Sequence, residues 1–208
     1  MASAKEAKEV LKRFYIETPS WAYGNSGTRF KVFAQPGVPR DPYEKISDAA
    51  QVHKYTGAAP AVAMHIPWDK VDDYAKLAKH AKDNGVYLGT INSNTFQDDD
   101  YKFGSVCHFD KKIRQKAVDH LLECVDIMDT TGAKDLKLWF ADGTNYPGQD
   151  DLAGRQDRLF ESLQKVYERI GDHQRMLLEY KFFEPAFYST DVPDWGTSYV
   201  HCLELGPK

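Results

Sequence analysis

The chain has 208 residues, 42% of them hydrophobic and 28% charged, with a formal net charge of -4. A chain of this size can bury one sizeable core, and its charge balance offers no basic stripe for nucleic acid or an anionic membrane surface. No apolar run approaches the roughly 20 residues that span a bilayer, and the polar stretch from Met1 to Val10 lacks the apolar centre of a signal peptide.

In chain order, residues 4–13 suit a short amphipathic helix, and Phe14-Tyr15-Ile16-Glu17 suits a first strand. A Gly-rich aromatic loop follows from Thr18 to Phe30, longer than a minimal turn and of the kind that often binds. Asp41-Pro42 opens a helix reaching about Tyr55, and Pro60 precedes the strand Ala61-Val62-Ala63-Met64-His65. Val71, Tyr74, Ala75, Ala78 and Ala81 fall on one helical stripe that stops at Asn84-Gly85. Val86 to Ile91 reads as a third strand, followed by the polar loop from Asn92 to Asp100. Val118, Leu121, Leu122, Val125 and Met128 mark the clearest helix, with Asp110 as its cap and Gly132 at its exit. Leu136 to Trp139 is a fourth strand, and a punctuated loop runs from Ala141 to Gly148. Leu159, Leu163, Val166 and Ile170 stripe the next helix, Met176 to Lys181 forms a fifth strand, and a last helix spans about Asp194 to Leu205. Strands alternating with helices imply a parallel α/β sheet.

Three of these strands end in chemistry. Side chains alternate faces along a strand, so His65 shares a face with Ala61 and Ala63 while Val62, Met64 and Ile66 take the other. Glu179 and Lys181 lie together, opposite Leu178 and Tyr180, and Trp139 lies opposite Leu138 and Phe140. Parallel strands of an α/β barrel place active-site groups in this way, at their C-terminal ends.

Each candidate has a plain reading beside the functional one. Glu179 and Lys181 sit in a segment apolar enough to be buried, where a charge needs a partner. They are either a structural ion pair or exposed strand end, or else an oxygen ligand for a hard cation beside a lysine that polarises a substrate oxygen. His65 is either a satisfied core histidine or a catalytic one. His53, His80, His108, His120, His173 and His201 show no metal-ligand spacing and read as solvated or structural. Trp21, Trp68, Phe96 and Trp139 cluster near strand ends, either packed under loops or lining a pocket of the kind that holds sugars. Asp98-Asp99-Asp100 reads as a solvated loop tip, because adjacent side chains diverge. Cys107, Cys124 and Cys202 are odd in number and without paired spacing, which fits free thiols in a reducing cytoplasm.

At this point the residues resemble a known family. Glu179-Tyr180-Lys181 with Glu184-Pro185 is similar to the Glu-x-Lys…Glu-Pro segment of xylose-isomerase-like barrels. Pro19-Ser20-Trp21, Gly27-Thr28-Arg29-Phe30, His65-Ile66-Pro67-Trp68-Asp69 and Asn92-Ser93-Asn94-Thr95-Phe96 resemble the L-rhamnose isomerases of that superfamily. So do Asp142 to Gln149, Glu184 to Thr190 and Asp194-Trp195-Gly196-Thr197.

The resemblance implies a (β/α)8 TIM-barrel-type fold, of which residues 1–208 carry about the first five β-α units as a single, incomplete domain. It implies a metal-dependent aldose-ketose isomerase, cytoplasmic and homotetrameric when complete, with a two-metal site and Mn²⁺ as the expected ion. Glu179 would ligate the metal, Lys181 would bind the carbonyl oxygen during a C1–C2 hydride shift, and His65 would assist ring opening. Trp21, Trp68, Phe96 and Trp139 would form apolar walls, and Phe30 would reach a neighbouring subunit's pocket. The family's remaining ligands lie on later strands, so the chain is expected to be a truncated and inactive form of its parent. Two alternatives stay open: a sugar 3-epimerase of the same superfamily, which moves a proton, and a non-catalytic half-barrel serving assembly or binding.

Overall fold

The computed structural model describes residues 3–25, 33–182 and 189–208. These fall into two compact units, residues 1–64 with 68–89 and residues 65–67 with 90–208.

In the first unit α1 (Ala4–Leu11) carries a capping box, in which Ser3 and Glu6 satisfy one another's backbone N–H groups. β1 (Glu17–Pro19) starts later than the expected Phe14. The reason lies in the helix exit: the N–H groups of Arg13 and Phe14 donate to Val10 and Leu11 carbonyls, so that backbone is used in turns. Phe14, Tyr15 and Ile16 are accordingly more than half exposed. A 3-10 turn, Ser20–Ala22, follows β1. α2 (Pro42–Thr56) is held at one end by Asp41, which accepts from the Glu44 N–H, and closed at the other by Gly57 at φ 67°. β2 (Ala61–His65) is buried along its whole length and pairs in parallel with β1, Thr18 opposite Val62. α3 (Tyr74–Asp83) turns Leu77 and Ala81 inward, while Ala75, expected on that stripe, is exposed. Leu77 and Ala81 are four apart, and Ala75 falls on the opposite side of the turn.

β3 (Tyr87–Asn92) leads into the second unit, where its Thr90–Asn92 pair in parallel with the start of β4 (Asp135–Trp139). Between them α4 (Lys111–Thr131) runs from Asp110, which accepts from Lys112 N–H, to Gly132 at φ 77°. Most of the expected stripe is its core face: Val118, Leu121, Val125 and Met128 are buried and Cys124 joins them, while Leu122 is only half-buried. β5 (Gly143–Thr144) is short, and α5 (Leu152–Arg169) buries Leu159, Leu163 and Val166 while packing on α4. β6 (Arg175–Glu179) pairs in parallel with β4 over its whole length. β7 (Ser189–Thr190) pairs antiparallel with β5, and α6 (Trp195–Leu205) is capped by Asp194. The architecture is an α/β fold with a parallel sheet. No helix among the described residues is long and apolar enough to cross a membrane.

Candidate functional site

The strand ends of the second unit assemble a continuous strip of side chains. In β4, Leu136 and Leu138 are buried on one face, while Lys137 and Trp139 turn to the other and stay partly open. Register sets Lys137 opposite Leu177 and Trp139 opposite Glu179. Long side chains then reach their diagonal neighbours two residues on. Lys137 Nζ lies 3.0 Å from Glu179 Oε2, and Lys181 Nζ lies 4.6 Å from the Trp139 ring centroid. Cation–π contact and ion pair thus follow from one offset. Trp139 meets Phe96 edge-to-face at 4.7 Å, and Phe96 meets His65 edge-to-face at 5.9 Å.

Local chemistry places these rings. Asn94 Oδ1 accepts from the N–H groups of Phe96 and Gln97, and its Nδ2 donates to Gln97 Oε1 at 2.6 Å. This Asx-type turn fixes Phe96 just beyond β3. His120 Nε2 accepts from the Asn94 N–H at 3.1 Å, which gives that histidine a structural role. His65, at the end of β2, is 6% exposed.

The expectation that Glu179 lies buried does not hold: its side chain is 44% exposed. β6 pairs with no strand but β4 among the described residues, so its face is covered from one side alone. The charge is supported by water and Lys137 rather than by burial.

In the first unit Trp21 and Trp68 meet edge-to-face, with centroids 6.4 Å apart at 73°. Behind them Asp69 is fully buried. It accepts from Lys45 Nζ at 2.7 Å and from Ser20 Oγ, so the residue after Trp68 is tied to the residue before Trp21. Phe30 lies outside the described residues, as do Gly27 to Arg29 and Glu184 to Tyr188.

A second cluster in the second unit escaped the sequence reading. Asp142 is 1% exposed and accepts from Ser105 N–H at 2.6 Å, Ser105 Oγ at 2.6 Å and Cys107 N–H at 2.9 Å. Arg155 binds Asp191 in a fork, Nε to Oδ1 at 2.9 Å and Nη2 to Oδ2 at 2.7 Å. Arg155 Nη2 also donates to the Gly143 carbonyl at 3.0 Å. Gly104, at φ +109°, packs so tightly here that a Cβ would stand 3.0 Å from Asp142 Oδ2 and 3.3 Å from Arg155 Nη2. Burial raises the Asp142 carboxyl above the ordinary range despite its bonds to Ser105, and burial pushes the Cys107 thiol well up. The sequence did carry a signal: Arg155 sits four residues before Leu159 and eight before Leu163, an arginine on an apolar stripe that demands a buried carboxylate.

Neither cluster, taken alone, fits a divalent metal. Cys107, Asp142 and Asp191 hold ligand atoms within 4.8 Å of one another. Their oxygens already serve Ser105, Cys107 and Arg155, the thiol is held protonated, and the guanidinium is the resident cation. At the strand end, Glu179 is one carboxylate beside the ammonium of Lys137. Asp98 and Asp100 both pair with Lys116, at 2.8 and 2.7 Å, which makes that acidic run a tied loop.

No protein-family model matches the chain. It is 44% identical over 206 residues to a probable sugar isomerase of Rhizobium meliloti (strain 1021), covering 97% of this chain and 48% of that protein. It is 42% identical over 203 residues to a probable sugar isomerase of Mesorhizobium japonicum (strain LMG 29417 / CECT 9101 / MAFF 303099), covering 95% and 47%. The chain therefore spans about half the length of the curated relatives it matches. Among solved structures, an L-ribulose 3-epimerase matches with a TM-score of 0.64 at 14% identity, covering 93% of this chain and 58% of that one. At that identity the match establishes the fold, a parallel α/β architecture with TIM-barrel-like neighbours.

Proposed function

We propose that the chain carries the first part of a (β/α)8 barrel that isomerises an aldose to a ketose, L-rhamnose to L-rhamnulose, by moving hydrogen between C1 and C2. The observation that carries the reading is the strip His65–Phe96–Trp139–Lys181 at the ends of successive strands, with Glu179 beside it. Ring faces suit the C–H side of a sugar, and the charged ends suit its oxygens. The motifs quoted above and the sugar-isomerase relatives support the reaction class.

In this reading the Lys181 ammonium donates to the substrate carbonyl oxygen as negative charge develops there. Trp139 keeps that ammonium over its ring, so it enters the reaction already oriented. His65 exchanges a proton with the anomeric hydroxyl or ring oxygen during ring opening, and its burial beside Phe96 excludes bulk water. Phe96 and Trp139 form the apolar wall. Trp21 and Trp68 of the first unit, and Phe30, are proposed as further substrate-facing aromatics. Glu179 is proposed to give one oxygen to a divalent ion, Mn²⁺, which when bound would polarise the sugar oxygens. Among the described residues Glu179 belongs to no cluster of three or more His, Cys, Asp or Glu ligands, and no step is assigned to the ion. A single domain over residues 1–208, a homotetramer and a cytoplasmic setting belong to the same proposal.

A 3-epimerase is the second reading, favoured by the fold match to an L-ribulose 3-epimerase. Incubation of L-rhamnose, and separately of its ketose L-rhamnulose, with Mn²⁺ in D₂O, followed by NMR of the products, separates the two, since a 3-epimerase needs a carbonyl at C2 to loosen the C3 proton. L-rhamnulose free of solvent deuterium is the expected result, whereas a ketose deuterated at C3 means epimerisation. No product, either from the 208-residue chain or from the same residues in a reading frame of the relatives' length, removes both.

A further inference from the structure

We propose that the buried Arg155–Asp191 pair is a positioning device for Lys181, clamping its backbone from both sides so that its ammonium rests on Trp139. The proposal rests on the isomerase reading only for what Lys181 does; the clamp itself stands on geometry. Lys181 lies two residues beyond the end of β6, where strand pairing no longer fixes the chain. Its N–H donates to the Val192 carbonyl at 2.8 Å, and its own carbonyl accepts from Thr190 Oγ1 at 2.5 Å. Both partners flank Asp191, so one residue's position sets both bonds.

Asp191 is in turn over-determined. Its carboxylate takes the Arg155 fork, and its N–H donates to the Asp142 carbonyl at 3.0 Å. The Asp191 carbonyl accepts from Gln156 Nε2 at 2.8 Å. Arg155 and Gln156 belong to α5, a helix anchored by Leu159, Leu163 and Val166. Rigidity therefore passes from the helix core through the ion pair to the segment 190–192, and from there to Lys181. A buried ion pair is weak evidence for stability alone, since apolar replacements of the same volume often do as well. Its directional geometry is what an apolar cluster would not reproduce. A side chain that must meet an oxygen at hydrogen-bond distance needs such support behind it.

The test reads the Lys181 ammonium directly. Lysines of the folded chain are reductively methylated with ¹³C-formaldehyde, which retains the positive charge, and the methyl signals are followed by ¹H–¹³C NMR. A methyl group held over an indole face is displaced upfield, and the signal missing from Lys181→Arg identifies the residue. The clamp predicts that Asp191→Asn and Arg155→Lys lose most of that displacement, moving the signal toward those of exposed lysines, while far-UV circular dichroism stays folded. Thr190→Val, which removes one bond to Lys181 and keeps the side chain's shape, is expected to lose a smaller part. It serves in place of the others if they do not fold. An upfield signal unchanged in the folded variants overturns the proposal, and so does its absence from the unsubstituted chain. Turnover is scored separately. Loss of the displacement, where the same residues in a reading frame of the relatives' length also show no isomerisation, leaves the clamp standing and removes the sugar reading. A fall in kcat with little change in KM supports both.

Discussion

The Asp142–Arg155–Asp191 cluster and the Lys137–Glu179–Lys181 strand end lie in one unit, and each gathers lysine or arginine with carboxylates. In the cluster every charged side chain is buried, and each carboxylate oxygen has a donor at 2.6 to 2.9 Å. At the strand end Glu179 and Lys137 are 44% and 41% exposed, and they share a single 3.0 Å contact. In the first arrangement every carboxylate oxygen is already bonded within the protein. In the second, Lys137 and Glu179 keep about two fifths of their side-chain surface open to solvent. Saturated burial marks the scaffold, and the half-exposed pair beside an aromatic wall is where the proposed substrate would be met.

The comparison predicts opposite consequences for mutation. Asp191→Ala leaves Arg155 buried without its fork, a change that typically costs about 3–5 kcal/mol. For a chain of this size that lowers Tm by roughly 10 °C, read by thermal melting. Glu179→Gln, by contrast, removes an exposed pair worth about 1 kcal/mol or less, so its Tm should stay within a few degrees, while in a protein of the relatives' length the proposed isomerisation is lost. Equal losses of Tm would erase the distinction. Lys181→Met is expected to lower kcat roughly 10²–10³-fold, as loss of a donor to a developing oxyanion does, with Tm unchanged.

Smaller effects sharpen the scaffold side. Gly104→Ala forces a Cβ into a left-handed conformation against Asp142 and Arg155, at a cost of about 1–3 kcal/mol. Urea denaturation should show that loss, and an unchanged midpoint would mean that the loop relaxes freely. Thiol titration offers another check: of Cys107, Cys124 and Cys202, the first two are buried, and burial raises both thiols. Native protein should release colour from Cys202 alone, and from all three residues in denaturant. The smallest effect is on pH dependence. Burial lowers the pKa of both His108 and His201. These histidines bind fewer protons folded than unfolded, so stability is full above the unfolded value of about 6.5 and declines as pH falls through it. His201→Gln should flatten that decline in melts between neutral and mildly acidic pH.

Much of this was legible in the sequence, and the failures have physical causes. The α4 and α5 stripes read correctly because their apolar residues recur at helical spacing between clear caps. The faces of β4 read correctly because alternation is strict there. His65, Trp139 and Lys181 stood out as strand-end residues and Phe96 as a ring beyond β3, but the contacts that join them arise from the β4–β6 register and the Asn94 turn. Phe14 to Ile16 misled because their β propensity is spent on turns leaving α1. Glu179 misled because burial depends on the strand's neighbours rather than on its own composition. Asp191 gave no local sign at all, since its role arises from Arg155, 36 residues away.

The most direct test asks where a sugar touches the protein. With ¹⁵N-labelled tryptophan, the four tryptophans give indole signals that single Trp→Phe changes assign. Trp139 stands on the proposed strip, and Trp195 stands 67% exposed on α6. Titration with L-rhamnose should shift the Trp139 signal saturably and leave Trp195 in place, and Lys181→Met should weaken the response. A shift confined to Trp195, or no saturable shift at Trp139, would contradict the placement of chemistry at the strand ends.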